Sequence, residues 1–581
     1  MTAFAHDLPF GATLLDKNRT RFRLWAPQQR QVFVQIGEGE RLALQPRDDG
    51  WFEIEAACGA GAAYRYVLGS GQAVPDPAAR AQVEDVHGAS LVIDPRAYRW
   101  RNAAWRGRPW TETVLYELHP GLLGGFAGVA RELDRLAALG ITAIELMPIN
   151  DFPGQRNWGY DGVLPFAPDR AYGSPTDLKA MIDAAHDRGL MVFLDVVYNH
   201  FGPDGNYLAS YAPGFFRDDI TTPWGPAIDF RRAQVRQFFT ENALYWLMEY
   251  RFDGLRFDAV HAITEADWLD AMAARVRATV EKHRHVHLVL EHDGNVAEHL
   301  RGDFDAQWND DGHHVLHAML TGEHEGYYAD YADKPAEGLA RVLREGFLYQ
   351  GEPSAHRNGA PRGTPSADLE PTAFVLFLQN HDQIGNRAFG DRLTTQTDAQ
   401  TLEAAIALQL LCPQIPLIFM GEEDASEAPF CFFTDHHGAL ADAVREGRRK
   451  EFASFAAFSD PARRAQIPDP NALETFERSR PRPGPPSDAR GALYGTLIAL
   501  RTKYLMPHLN GAKAIDAKAI GPRAVVARWR LADGAIWTLA ANLGSEPRAL
   551  AMPSGDVIYG AARPGQLDPR TTLCFLERPR G

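Results

Sequence analysis

Three carboxylates stand out by where they sit. Asp258 in GLRFDAVHAI, Glu291 in VHLVLEHD and Asp382 in FVLFLQNHD each follow a short apolar run. Burying unpaired charge is expensive, so a carboxylate at the end of such a run either neutralises itself in a network or does chemistry. Cleavage of a glycosidic bond calls for this set, because one carboxylate can attack the sugar carbon while another protonates the departing oxygen. Arg256 lies two residues before Asp258, on the same face of an extended strand. A neighbouring guanidinium favours the ionised form that a nucleophile needs. Glu291 emerges from LVL with no cation of fixed charge beside it in sequence, so desolvation is expected to hold its proton, as an acid catalyst requires. A metal site would recruit His200 and His381 beside the carboxylates. No HExxH or paired-histidine spacing supports one, and no metal is expected.

For these groups to act together the fold must bring them to one place. Between residues 106 and 460 eight apolar runs alternate with amphipathic stretches: TVLYELHP, ITAIELMPI, LMVFLDVVYNH, FDGLRFDAV, VHLVLEHD, FDAQWNDD, FVLFLQNHD and PLIFMGEE. Strand and helix in alternation imply a parallel sheet. Eight such units fit a closed (β/α)8 TIM barrel better than an open doubly wound sheet, and no Gly-rich GxGxxG turn follows the first strand to suggest a dinucleotide. Asp195, Asn199 and His200 close the third run, Arg256 and Asp258 the fourth, Glu291 and His292 the fifth, Asn309 and Asp310 the sixth, Asn380, His381 and Asp382 the seventh. One aspartate after a strand is often a turn former or a helix cap. Five polar strand ends in a row point to the barrel mouth, where active sites of this architecture lie.

The flanks read differently. Residues 1–105 alternate short apolar runs with Gly, Pro and Asp turn signals, the pattern of an N-terminal β-sandwich. Residues 461–490 are expected to be an exposed connection, marked by the Pro-rich stretch ERSRPRPGPPSDARG at 477–491. From 491 to 581 a C-terminal β domain is expected, with a hairpin around Asp533 and Gly534. The net charge of −15 argues against nucleic acid or an anionic membrane surface as partner. Cys58, Cys412, Cys431 and Cys574 are dispersed, which suggests neither a disulfide framework nor zinc and fits a reducing compartment. MTAFAHDLPFGATLL lacks the basic start and apolar core of a secretory signal, so a cytoplasmic protein is expected. The longest apolar region, from residue 404, is broken by Gln409, Pro413, Gln414 and Pro416, and reads as a buried helix followed by a strand rather than a membrane span.

DVVYNH, GLRFDAVHAI, the Glu of LEHD and QNHD occur in the order of the four signature segments of the α-amylase family of glycoside hydrolases, which the chain resembles. The resemblance implies Asp258 as nucleophile, Glu291 as general acid/base and Asp382 as the carboxylate that stabilises the transition state. It further implies Asp195, His200, Arg256 and His381 as holders of the donor-side sugar, with Tyr160 of NWGYDGV stacking on it. The segments DAQWNDDGHH, QNHDQIGNR, FMGEE and FFTDHHGALADAVREGRRKEF are similar to those of the family's trehalohydrolase branch, which acts on maltooligosyltrehalose and related α-glucans. That likeness implies retaining hydrolysis of the α-1,4 bond between trehalose and the maltooligosaccharide, without a cofactor. Asp310, His313, His314, Gln383 and Asn386 are candidates to bind sugar hydroxyls. His261, Asp293, Asp310 and Gln383 are the polar groups expected around the trehalose unit. A glycogen branching or debranching enzyme would share the barrel and the four segments, but would not call for FFTDH or REGRRKEF.

Overall fold

Eight parallel strands close on themselves: Leu115–Leu118, Ala143–Leu146, Met191–Val196, Gly254–Phe257, His287–Leu290, Ala306–Trp308, Phe374–Phe377 and Ile415–Phe419. The first pairs with the last through Leu115 and Leu417. These are the eight runs singled out in the sequence, so the expected barrel is the one found in this computed structural model, which describes residues 2–485 and 487–579.

Side chains alternate across a strand, so inward positions repeat every second residue. Leu115, Ala143, Phe193, Val289, Val375 and Leu417 form an apolar layer inside the barrel. Gly254 completes it by omission, because a Cβ there would stand 2.1 Å from the Phe193 ring. Two residues further along the same faces come Glu117, Glu145, Asp195, Arg256 and Glu291. The apolar layer thus floors a polar one at the C-terminal ends of the strands. Helices cover the outside. Pro175–Asp187 begins with a capping box in which Ser174 and Asp177 exchange hydrogen bonds, with proline at its first turn. Ala399–Leu411 is buried almost all round and leads straight into the eighth strand. No helix among the described residues is long and apolar enough to cross a membrane.

The N-terminal segment forms a four-stranded and a five-stranded antiparallel sheet. It docks on the barrel through Phe10 against Phe238, 5.2 Å between ring centres, and Trp25 against Phe215, 5.5 Å. The C-terminal five-stranded sheet starts at Lys513, not at 491. Helix Ser487–Tyr504 intervenes and buries Tyr494, Leu497, Ile498 and Arg501, the spacing of one helical face. Arg501 ties this helix to the barrel through the carbonyl of Gln414 at 2.8 Å. The hairpin around Asp533 and Gly534 joins strands Ala524–Arg530 and Ile536–Asn542. Trp537 fastens that sheet to the barrel by donating to the Leu411 carbonyl at 2.9 Å.

Candidate active site

Arg256 is fully buried and sits at the centre of the polar layer. Parallel pairing sets it level with Asp195 on the third strand and with Val289 on the fifth, so Glu291 rises one inward position above it. Its Nη1 donates to Asp195 Oδ2 at 2.5 Å and to Asp258 Oδ1 at 3.1 Å. Its Nη2 stands 2.9 Å from Glu291 Oε2. The guanidinium lies over the Trp308 ring, 4.1 Å from its centre, a cation–π contact from the sixth strand. The expectation that Glu291 has no cation beside it is therefore corrected. The register of the neighbouring strand supplies the cation, and linear sequence does not reveal it.

The chain turns sharply after Asp258. Ala259 adopts the left-handed region at φ 39° and ψ 46°, a conformation that costs a non-glycine residue about 1–3 kcal/mol. The turn aims the Ala259 N–H at Glu291 Oε2, 2.7 Å away. Asp258 is gripped on its other oxygen, since the Asn199 amide donates to Oδ2 at 2.7 Å and to the Asp258 carbonyl at 2.9 Å. Asp195, Asn199 and Arg256 thus form one brace under the Asp258 carboxylate. Burial, against the pull of Arg256 and with the push of Asp258, raises Asp195 to about 7.

Tyr160 crosses over this brace. Its hydroxyl donates to Asp195 Oδ2 at 2.7 Å and lies 2.8 Å from His381 Nε2, and its ring stacks on the His381 ring at 5.1 Å. His381 is bound from behind by Glu117, through the ring Nδ1 and through a backbone N–H bond of 3.1 Å. Burial works against a charged ring, yet Glu117 and then Asp382 outweigh it and push His381 up to about 9. His200 meets the Tyr160 carbonyl at 2.9 Å through Nε2, and burial lowers its pKa. Asp382 lies 3.5 Å from His381 Nε2 and accepts from the Asn386 amide at 3.1 Å. Burial raises its pKa, with His381 pulling back and Glu291 pushing on.

Beside Asp382 opens a cavity of about 810 Å³ walled by the segments that follow the sixth, seventh and eighth strands, with Asp293 from the fifth. Gln383, Asn386, His314 and Asp293 line it together with Tyr327, Tyr331, Glu323 and Arg387; of the three carboxylates only Asp382 does. His313 belongs elsewhere. It is buried, its Nδ1 is 2.7 Å from the Leu378 carbonyl and its ring stacks on Phe377, so it faces the core and cannot meet a sugar. Asp293 reaches the cavity already paired with Arg357 and with Arg362 at 3.5 Å. His261 is exposed and faces His292, 6.2 Å away, outside the cavity lining. Asp310 opens the helix Asp310–Thr321, capped by Asn309. Burial, with Glu291 nearby, drives its pKa well up.

Glu117, Asn199, Trp308 and Ala259 are the partners that sequence reasoning passed over or left without a role. Glu117 was within reach: it is a lone charge at an inward position of LYEL, the pattern that drew attention to Arg256.

Comparison with known proteins bears on this geometry. A model of the α-amylase catalytic domain matches residues 88–212, and a domain of unknown function, DUF3459, matches residues 512–574. The malto-oligosyltrehalose trehalohydrolase of Deinococcus radiodurans is 44% identical over 82% of this chain and 78% of its own length. That of Saccharolobus solfataricus is 38% identical over 84% and 86%. A 1,4-alpha-glucan branching enzyme of Pseudoalteromonas atlantica matches only 43% of the chain, at 32% identity. A crystal structure of a protein from Salmonella typhimurium superposes with a TM-score of 0.93 at 42% identity, over 98% of this chain and all of that one.

Proposed function

Because the chain belongs to the malto-oligosyltrehalose trehalohydrolases of the α-amylase family, we propose that it hydrolyses the α-1,4 bond joining trehalose to a maltooligosaccharide, with retention of configuration, in the cytoplasm. Asp258 attacks the anomeric carbon and forms the glycosyl-enzyme. Glu291 protonates the departing trehalose oxygen and then draws a proton from the water that releases the glucan. The observation that carries this reading is the single guanidinium of Arg256, held between the two carboxylates that would do the work. Glu291 Oε2 receives the Ala259 N–H and faces Arg256. The catalytic proton therefore belongs on Oε1. Both oxygens of Asp258 accept hydrogen bonds, which fixes the direction of attack.

Tyr160, His381, Asp195 and His200 would hold the donor-side glucosyl unit, and Asp382 its hydroxyls as positive charge builds at the anomeric carbon. The trehalose unit would enter the cavity beside Asp382, against Gln383, Asn386 and His314. Burial lowers the pKa of His314 well below its ordinary value, so the ring is a neutral partner for sugar hydroxyls. The four cysteines are all unpaired, in keeping with a reducing cytoplasm. Chromatography of products from maltotriosyltrehalose beside maltopentaose tests the reading. Trehalose and maltotriose are expected from the first substrate and slow cleavage from the second. New α-1,6 branches in amylose would mean a branching enzyme instead.

A further inference from the structure

FFTDH (432–436) and REGRRKEF (445–452) have no part in the chemistry above, yet Phe432 packs on Trp158 and Glu451 and Phe452 line the cavity beside Asp382. The chain leaves the eighth strand at Phe419 and runs to the helix Gly438–Glu451, which carries Arg448. Arg448 is only 8% exposed. Its Nη2 donates to the carbonyls of Gly385 at 2.7 Å and Arg387 at 3.0 Å, and its Nη1 to Glu451 Oε2 at 2.9 Å. The guanidinium packs on the rings of Phe452 and Phe432, 4.8 and 5.7 Å from their centres.

Gly385 ends the short helical turn His381–Gly385 that carries Asp382, and Arg387 lies two residues beyond it. The residue between them, Asn386, donates its amide to Asp382 Oδ1 at 3.1 Å. Fixing 385 and 387 therefore fixes the group that orients the carboxylate. The other side of the turn is closed as well: a Cβ on Gly385 would lie 2.0 Å from the Trp158 ring. Trp158 stacks on Phe430 at 5.3 Å and donates to the Cys431 carbonyl at 3.0 Å. Both jaws of the grip are thus anchored in the segment after the eighth strand.

We propose that Arg448 is a positioning residue that binds the end of the Asp382 turn to this segment and so sets the place of the Asp382 carboxylate. The proposal rests on the transition-state role given to Asp382 above. A planar guanidinium reaches two carbonyls and Glu451 at once. A lysine ammonium is a single point and covers fewer of them.

The test is a double-mutant cycle of Arg448→Met, and of the milder Arg448→Lys, with Asp382→Asn, with kcat and KM measured on maltotriosyltrehalose and on maltopentaose. Arg448→Met is expected to lower kcat by about 10–100-fold with KM within about twofold, and Arg448→Lys by less. In the Asp382→Asn background the same change should alter the residual kcat by less than about twofold, because the group it positions is already gone. A folded Arg448→Met enzyme with wild-type kcat, or an equal loss in both backgrounds, overturns the proposal. If Arg448→Met does not fold, Arg448→Lys decides by the same comparison. The cycle can be read on whichever glucan is cut, so a chain that releases no trehalose would end the substrate reading alone. Near wild-type activity of Asp382→Asn would end the role of Asp382 itself.

Discussion

The Arg256 guanidinium stands 2.9 Å from the Glu291 carboxylate while its other nitrogen holds Asp258 at 3.1 Å. One cation thus serves both the proposed nucleophile and the proposed acid. In the double displacement proposed above, a change at Arg256 would therefore act on both steps.

Arg256→Lys is the first consequence. An ammonium cannot span Asp195, Asp258 and Glu291, and the change leaves at least one buried carboxylate without its partner. We expect kcat to fall by roughly 100-fold or more, with a lowered Tm, while circular dichroism stays native. A variant within a few-fold of wild type would show that the brace is not needed for catalysis.

Asp258→Asn keeps the volume and removes the proposed nucleophile. Turnover should drop by at least about 1,000-fold with the fold intact. In the wild-type enzyme, NMR of the earliest product should show maltotriose as its α-anomer before mutarotation, the mark of retention. An initial β-anomer would contradict a glycosyl-enzyme on Asp258.

Glu117→Gln probes His381, the proposed partner of the donor sugar. His381 is raised from its ordinary 6.5 to about 9, burial being outweighed by Glu117 and Asp382. A folded pKa above the unfolded one gives stability that is complete below pH 6.5 and is lost as pH rises towards about 9. Urea denaturation of the wild type across that window should show the decline. Glu117→Gln should flatten it and shift the basic limb of kcat/KM to lower pH. Identical pH profiles for the two proteins would mean that His381 does not titrate as a partner of Glu117.

Much of this site was legible in the sequence because inward positions repeat every second residue, so a charge two places beyond a core residue announces itself. The spacing of Arg256 and Asp258 was read that way, whereas Asp382 was singled out, with the eight strands, because it closes an apolar run. What lay between strands was hidden. The contact of Arg256 with Glu291 depends on parallel register, and the pairing of Asp293 with Arg357 and Arg362 on a loop that returns from far along the chain. His313 and His314 are adjacent in sequence, yet a helix turns each residue by about 100°, so one faces the core and the other the cavity. The helix Ser487–Tyr504 carried its own signal, buried residues at 494, 497, 498 and 501, but the Pro-rich run before it suggested a linker leading directly into strands.

On the proposed reading, specificity for trehalose would depend on the cavity beside Asp382. Its polar wall includes Gln383, whose backbone N–H is spent on capping, bonded to Asn380 Oδ1 at 2.9 Å, which leaves the side chain to face the opening. Glu323 and Arg387 line the same cavity, paired at 2.7 Å. A site built to bond particular hydroxyls rejects ligands that leave those groups unpaired. The bent, non-reducing trehalose unit and the terminal maltose unit of maltopentaose present different hydroxyls to this wall, so kcat/KM for maltotriosyltrehalose should exceed that for maltopentaose. Gln383→Ala removes one discriminating partner without touching Asp258 or Glu291. It should narrow the ratio by about tenfold, mostly through slower reaction of maltotriosyltrehalose, with maltopentaose little affected. Steady-state kinetics on the two substrates decides it. An unchanged ratio would remove Gln383 from the trehalose site, and equal loss on both substrates would make it a general support of the Asp382 turn.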